Sequence, residues 1–125
     1  MIYVFGSGGL ALCAIDVLLA AGQKSIAMVT LVDQHSKESR PYQIIHESQL
    51  QPSEVKNIFV AIGDNFKRHQ LVEKLKSKFK KPEFVNCIHP SVSMGMNIQL
   101  GKGLYVGAQS VLGPQVKIGD FCILN

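Results

Sequence analysis

Two glycine-bearing loops, each placed after an apolar run, are where this sequence could hold a ligand. Gly6-Ser7-Gly8-Gly9 follows Ile2–Phe5 and precedes the apolar stretch Leu10–Ala21. Glycine lets the backbone approach a ligand closely. A strand-to-helix turn also leaves N–H groups unpaired at the positive end of the helix dipole, which stabilises a phosphate. The run Gly6-x-Gly8-x-x-Ala11 fits the looser dinucleotide fingerprint as well, with Asp33 about where a ribose-binding acid stands. The second loop, Gly63-Asp64-Asn65-Phe66-Lys67-Arg68, follows the apolar run Asn57–Ile62. There Asp64 or Asn65 can cap a helix, Asn65 can hydrogen-bond a base or ribose, and Arg68 can reach a phosphate as a bidentate donor. Each feature has a plainer reading: a tight turn for the first loop, a strand-end turn residue for Asp33, an N-cap and a solvated arginine for the second loop.

The remaining reactive side chains carry less. His35 and His46 fall in a polar, irregular segment and His69 on a basic helix, so all three read as solvated. His89 precedes Pro90 and reads as part of a hinge. No catalytic residue is assigned. Cys13, Cys87 and Cys122 are scattered, odd in number and set in apolar surroundings, as in a reduced, cytoplasmic protein. None has zinc-ligand spacing, so no metal site is expected. The net charge is +4, and Lys67–Lys81 holds six lysines and Arg68 against Glu73. Without aromatics interleaved on that face, a solvated helix is the better reading and no nucleic-acid partner is expected.

These residues need elements to hold them. At 46% apolar residues the chain is not a disordered one. Its longest apolar stretch, Gly8–Gly22, is interrupted by Asp16 and too short to span a bilayer, and the N-terminus lacks the basic start of a signal peptide. No membrane association is expected. Up to about His89, short apolar runs alternate with helical periodicity. Strands are predicted at Ile2–Phe5, Ile26–Val32, Asn57–Ile62 and Phe84–Ile88, with a short extended piece near Tyr42–His46. Helices are predicted at Leu10–Ala21, with Gly22 as its C-cap, and at Phe66–Phe79, with Leu71, Val72, Leu75 and Phe79 on one face. Alternation of this kind argues a parallel sheet of βαβ units.

From Met94 the period changes to six. Gly95, Gly101, Gly107, Gly113 and Gly119 each follow Met94, Leu100, Val106, Leu112 and Ile118. This is a hexapeptide β-helix pattern: the aliphatic residue fills the interior and glycine is expected to relieve the corner. The predicted division is residues 1–91 as the α/β domain and 92–125 as the start of the β-helix. A rung ending in solvent leaves apolar surface and an unpaired edge, so self-association is expected.

Taken together, Phe5-Gly6-Ser7-Gly8-Gly9, Val60–Asn65 with Arg68, Ile88-His89-Pro90-Ser91 and Ile118–Asn125 resemble the sialic acid O-acetyltransferase and UDP-amino-sugar N-acetyltransferase family. The resemblance implies a small Rossmann-like domain followed by a left-handed parallel β-helix. It implies a UDP- or other nucleotide-linked sugar bound by Gly6, Ser7, Gly8, Gly9, Asp33, Gly63, Asn65 and Arg68, with acetyl-CoA held by later coils and the full-length proteins packed as trimers. The family's catalytic histidine follows the segment matched by Ile123-Leu124-Asn125. Residues 1–125 are therefore expected to be inactive alone and to bind no acetyl-CoA well. Leu10 stands where the family often carries His. Two other readings stay open: an NAD(P)-binding oxidoreductase fragment, and a non-catalytic remnant that binds nucleotide-sugar or only self-associates.

Overall fold

A computed structural model describes residues 1–32 and 39–125. Its first half is a five-stranded sheet. The strands are β1 (Ile2–Phe5), β2 (Ile26–Thr30), β3 (Gln43–His46), β4 (Asn57–Val60) and β5 (Glu83–Phe84), ordered β3-β2-β1-β4-β5 and all parallel. Helix α1 (Gly9–Ala20) covers one face and α2 (Asn65–Lys78) the other. Strands β1, β2 and β4 are apolar because both faces are covered. Their residues alternate between two cores, with Val4 and Met28 under α1 and Phe5, Val29 and Val60 under α2. Burying a side chain such as Phe5 or Phe59 fully contributes about 1.5–3 kcal/mol.

The local signals act as their chemistry requires. Helix α1 ends in a Schellman motif. Gly22, at φ +89, donates to the Leu19 carbonyl at 3.0 Å, and the Gln23 N–H reaches the Leu18 carbonyl at 3.0 Å. Asp64 caps α2, its carboxylate accepting the Lys67 N–H at 2.8 Å. His46 differs from its solvated reading: its Nδ1 accepts the Ser48 N–H and caps the 3-10 turn Glu47–Gln49.

The second half is a parallel β-helix with an 18-residue coil. Its rungs are β6 (Cys87–Ile88), β7 (Ser93–Met94), β8 (Gln99–Leu100), β9 (Tyr105–Val106), β10 (Val111–Leu112), β11 (Lys117–Ile118) and β12 (Ile123–Leu124). Every sheet pairs residues 18 apart: Ser93 with Val111, Gln99 with Lys117, Cys87 with Tyr105 and Tyr105 with Ile123. Leu104, Val106 and Leu112 are buried.

Two expectations are corrected here. The single strand expected over Phe84–Ile88 is two strands in different sheets: β5 closes the α/β sheet and β6 is the first rung of the β-helix. Asn86 makes the transfer possible. Its Oδ1 accepts the Leu104 N–H at 2.9 Å and its Nδ2 donates to the Gly101 carbonyl at 3.1 Å, replacing ladder bonds where the chain changes sheets. The rung has no glycine because His89 occupies that slot. The second correction concerns what the period-six glycines do. The left-handed corners fall at Asn97, Gly103, Gln109, Gln115 and Phe121, with φ between +58 and +71, and only one of these is glycine. Gly95 and Gly101 instead allow coil to stack on coil. A Cβ on Gly95 would lie 2.6 Å from the Pro114 nitrogen, and one on Gly101 would lie 2.7 Å from the Asp120 nitrogen.

This geometry separates the glycines. Gly95→Ala and Gly101→Ala should each destabilise this 125-residue chain by about 1–3 kcal/mol through overpacking, lowering its melting temperature by roughly 3–15 °C. Gly119, with nothing within 4 Å of an added Cβ, should accept alanine with little change. Calorimetry on the three variants checks this, and equal losses at all three positions would show that coil stacking is not what selects glycine.

Candidate functional site

Strand order reverses between β1 and β4, and open α/β sheets bind ligands outside the carboxyl ends of strands at such a point. Both sequence loops converge there. Gly6 (φ +134) donates to the Val29 carbonyl at 3.0 Å, and an added Cβ would lie 2.5 Å from the Ala61 oxygen. It is buried, and its work is to pass β1 closely by the end of β4. Ser7 is half-buried. Gly8 and Gly9 are exposed, with open space where a Cβ would be, and they begin α1 without a side-chain cap. The first-turn N–H groups of α1 are therefore available to an anion.

A crevice of about 460 Å³ opens beside these loops. Leu10 and Cys13 of α1 form one wall, Gly63, Asn65 and Arg68 a second, and Ile123 and Asn125 of the last coil a third. The structure thus brings the second loop and the start of α1 to one cavity, and adds the β-helix. Asp33 lies outside the described residues. The cavity-lining roles of Cys13, Ile123 and Asn125 had no signal in the sequence, because the β-helix must fold back over α1 before they meet.

Arg68 differs from both of its sequence readings. It is only 8% exposed, so it is not a solvated arginine. Nor is its fork free to grip a phosphate from two sides. Nε donates to the Phe121 carbonyl (3.0 Å), Nη1 to the Ile62 and Gly63 carbonyls (3.0 and 3.1 Å) and Nη2 to Asn65 Oδ1 (2.6 Å). A guanidinium has five N–H donors, so one remains. The same bond occupies the Asn65 carboxamide oxygen and leaves its NH₂ as the donor.

A second, more apolar cavity of about 270 Å³ lies on the α2 side. Leu31 and Ile62, at the ends of β2 and β4, form its floor with Leu71, and Lys67, Gln70 and Lys74 rim it. Leu31 is an exposed leucine just past a strand end. That is a weak signal of a ligand surface, and sequence reasoning passed over it.

Buried titratable groups border the crevice without lining it. Burial pushes the Cys87 thiol up to about 12. Burial first, and then the neighbouring Cys13, raise the Tyr105 hydroxyl above its ordinary value. Both stay protonated near neutral pH. The described histidines lie elsewhere. His89, whose Nδ1 accepts the Ser91 N–H at 3.0 Å, does not line the crevice. Among the described residues no group of three or more His, Cys, Asp or Glu could hold a metal ion, and no helix is long and apolar enough to cross a membrane.

Fold and crevice define an α/β domain whose candidate site is walled on one side by a parallel β-helix. The family described as PglD N-terminal domain matches residues 1–75, and the chain belongs to it. Among solved structures, PerB from Caulobacter crescentus, in complex with CoA and GDP-perosamine, matches with a TM-score of 0.83 and 29% identity. The match covers 99% of this chain and 59% of that one. A variant of perosamine N-acetyltransferase from the same organism, again with CoA and GDP-perosamine, matches at 0.81 and 29%, with the same coverage. The acetyltransferase domain of PglB from Neisseria gonorrhoeae, at 24% identity and a TM-score of 0.81, shares the fold over 99% of this chain and 61% of its own. An uncharacterized protein of Acanthamoeba polyphaga mimivirus is 30% identical over 126 residues, 98% of this chain and 24% of that protein. The chain thus spans about three fifths of the solved acetyltransferase chains and a quarter of the viral protein.

The contrast between the cysteines is directly measurable. At pH 8 a thiol with a pKa of about 12 is ionised to about one part in 10⁴, and the thiolate is the reactive form. Iodoacetamide should label exposed Cys13 in the native chain and Cys87 only after unfolding. Peptide mapping that found Cys87 labelled as fast as Cys13 would show that β6 does not pack under α1 as described.

Proposed function

We propose that this chain is the nucleotide-sugar-binding part of an acetyl-CoA-dependent sugar acetyltransferase that serves surface-glycan or sialic acid-type sugar biosynthesis. The observation that carries the reading is the crevice at the β1/β4 reversal, walled on its third side by the β-helix. Membership of the PglD N-terminal domain family and the CoA- and GDP-perosamine-bound relatives support it.

The chain's own residues suggest a division of labour. The first-turn amides at Gly8 and Gly9 favour a diphosphate through unpaired N–H groups and the helix dipole. The Asn65 NH₂ and the last Arg68 N–H are donors for phosphate or ribose oxygens. Asp33 is proposed for the ribose hydroxyls. The Leu31–Ile62 floor suits the flat face of a base, with Lys67 and Lys74 at its rim. The sugar then extends toward Ile123 and Asn125. Acetyl-CoA supplies the activated acetyl group in such a reaction, and the sugar's amine or hydroxyl must lose a proton as it attacks. No described histidine lines the crevice, so the described residues are assigned to binding the sugar nucleotide and none of them to the proton transfer. A positioned base is worth about 10²–10⁴-fold in rate.

The division into residues 1–91 and 92–125 is kept as a functional one, with binding loops in the first part and a stacking platform in the second. The full-length enzyme is proposed to act in the cytoplasm as a homotrimer. Val111 and Met96, 76% and 75% exposed on the β-helix, support self-association.

Thermal shift tests the ligand class. Something that binds only the folded chain stabilises it by about 2.7 kcal/mol at a hundredfold excess over Kd. UDP- and GDP-linked amino sugars should raise the melting temperature by several degrees and NAD(P)H should not. The opposite pattern would favour the oxidoreductase reading. Sedimentation checks the second expectation: the chain should associate with rising concentration, and Val111→Glu should reduce that association. A strict monomer at high concentration would argue against it.

A further inference from the structure

The nucleotide-sugar reading leaves open why the second loop holds a buried arginine that spends its donors on the protein. We propose that Arg68 is a positioning residue: it ties the Gly63–Asn65 loop to the β-helix corner at Phe121 and so sets two walls of the crevice relative to each other. Its bonds end on three carbonyls and one carboxamide oxygen, all neutral. Two of those acceptors, on Gly63 and Asn65, belong to the loop, a third is on Ile62 just before it, and the fourth lies 53 residues along the chain. The guanidinium is planar and rigid, so a displacement of one acceptor is passed to the others. A lysine ammonium, a point donor on a flexible stem, cannot span the same set.

The far end is itself held in place. Phe121 adopts φ +58, which a bulky residue takes only when its surroundings impose it. Its N–H donates to the Lys102 carbonyl at 2.8 Å, and its ring meets Phe84 edge-on at 5.0 Å. Below the ring lies Gly103, where a Cβ would come 2.6 Å from Phe121 Cε1. Gly103 does not line the crevice, yet it sits beneath the residue whose carbonyl Arg68 holds. The chain of contacts from Gly103 through Phe121 and Arg68 to Asn65 therefore runs from the β-helix to the ligand loop. Only the effect on ligand affinity rests on the nucleotide-sugar reading; the mechanical tie does not.

The experiment uses the full 125-residue chain with Arg68→Lys, Gly103→Ala and the double variant, followed by amide hydrogen exchange. Gly103→Ala should speed exchange at Lys67 and Arg68, whose N–H groups are bonded to Asp64 of the loop, far from the substitution, by about fivefold or more, within the usual range of coupling between sites. Arg68→Lys should speed exchange at Phe121–Ile123 to a similar extent. The double variant should be no worse than the worse single one, because both break one path. Exchange at Lys67 and Arg68 unmoved by Gly103→Ala, or multiplying effects in the double variant, would overturn the proposal. If Gly103→Ala unravels the coil, Phe121→Leu, which keeps the carbonyl but shrinks the ring, carries the same comparison. Calorimetric titration with UDP and with GDP adds the ligand readout: the two single variants should weaken nucleotide binding by similar factors, again without multiplying. Absence of UDP and GDP binding by the unaltered chain would refute the nucleotide-sugar reading, while the exchange measurements still decide the role of Arg68.

Discussion

A buried cation bonded only to neutral oxygens sits where the two architectures of this chain meet. Arg68 donates from α2 to the segment that follows β4 and to the corner of the last β-helix coil. Leaving a buried carbonyl unsatisfied costs about 1–3 kcal/mol, so this side chain is held by several acceptors at once. The ligand crevice lies directly against it. Gly63, Asn65 and Ile123 can form walls of one cavity because the loop and the coil are tied at one atom group.

Around that tie the two halves share hydrophobic cores. Cys87 and Tyr105 of the β-helix pack with Ala11, Ala14 and Ile15 of α1, while Phe121 packs against the cluster under α2. The chain crosses from sheet to β-helix within two residues, with Asn86 filling the gap in the ladder. There is no linker between the halves, so the β-helix acts as a third wall of the site as well as a stacking platform. Helix α1 is apolar nearly all round for the same reason: it has a sheet on one side and the first rungs on the other.

The β-helix separates two demands that glycine can meet. Stacking at a coil separation that leaves no room for a Cβ selects Gly95 and Gly101. The left-handed corner is met by Asn97, Gln109, Gln115 and Phe121 as well as by Gly103. Coil-to-coil bonds hold the non-glycine corners, such as Gln115 N–H to the Met96 carbonyl at 2.7 Å and Phe121 N–H to the Lys102 carbonyl at 2.8 Å. Gly103 meets both demands, since it has positive φ and lies under the Phe121 ring.

What the sequence determined by itself was periodic or local. Alternation of apolar runs with helical stretches specified a parallel α/β sheet, Gly22 and Asp64 marked helix ends, and a period of six specified rungs. Each depends on neighbours a few residues apart, and spacing records such neighbours. The split of Phe84–Ile88 between two sheets was hidden, because five strand-like residues read the same whichever partner they find. The identity of the crevice walls was hidden too. Leu10 and Cys13 on α1 are far in sequence from Asn65 and from Ile123, and the three walls meet only after the β-helix folds over α1. Arg68 shows the difference most sharply. Its place one turn into a helix after a glycine loop was plain in the sequence, but its partner Phe121 lies 53 residues away. Only the tertiary structure could turn a candidate phosphate ligand into a brace, because a long-range hydrogen bond leaves no mark on local spacing.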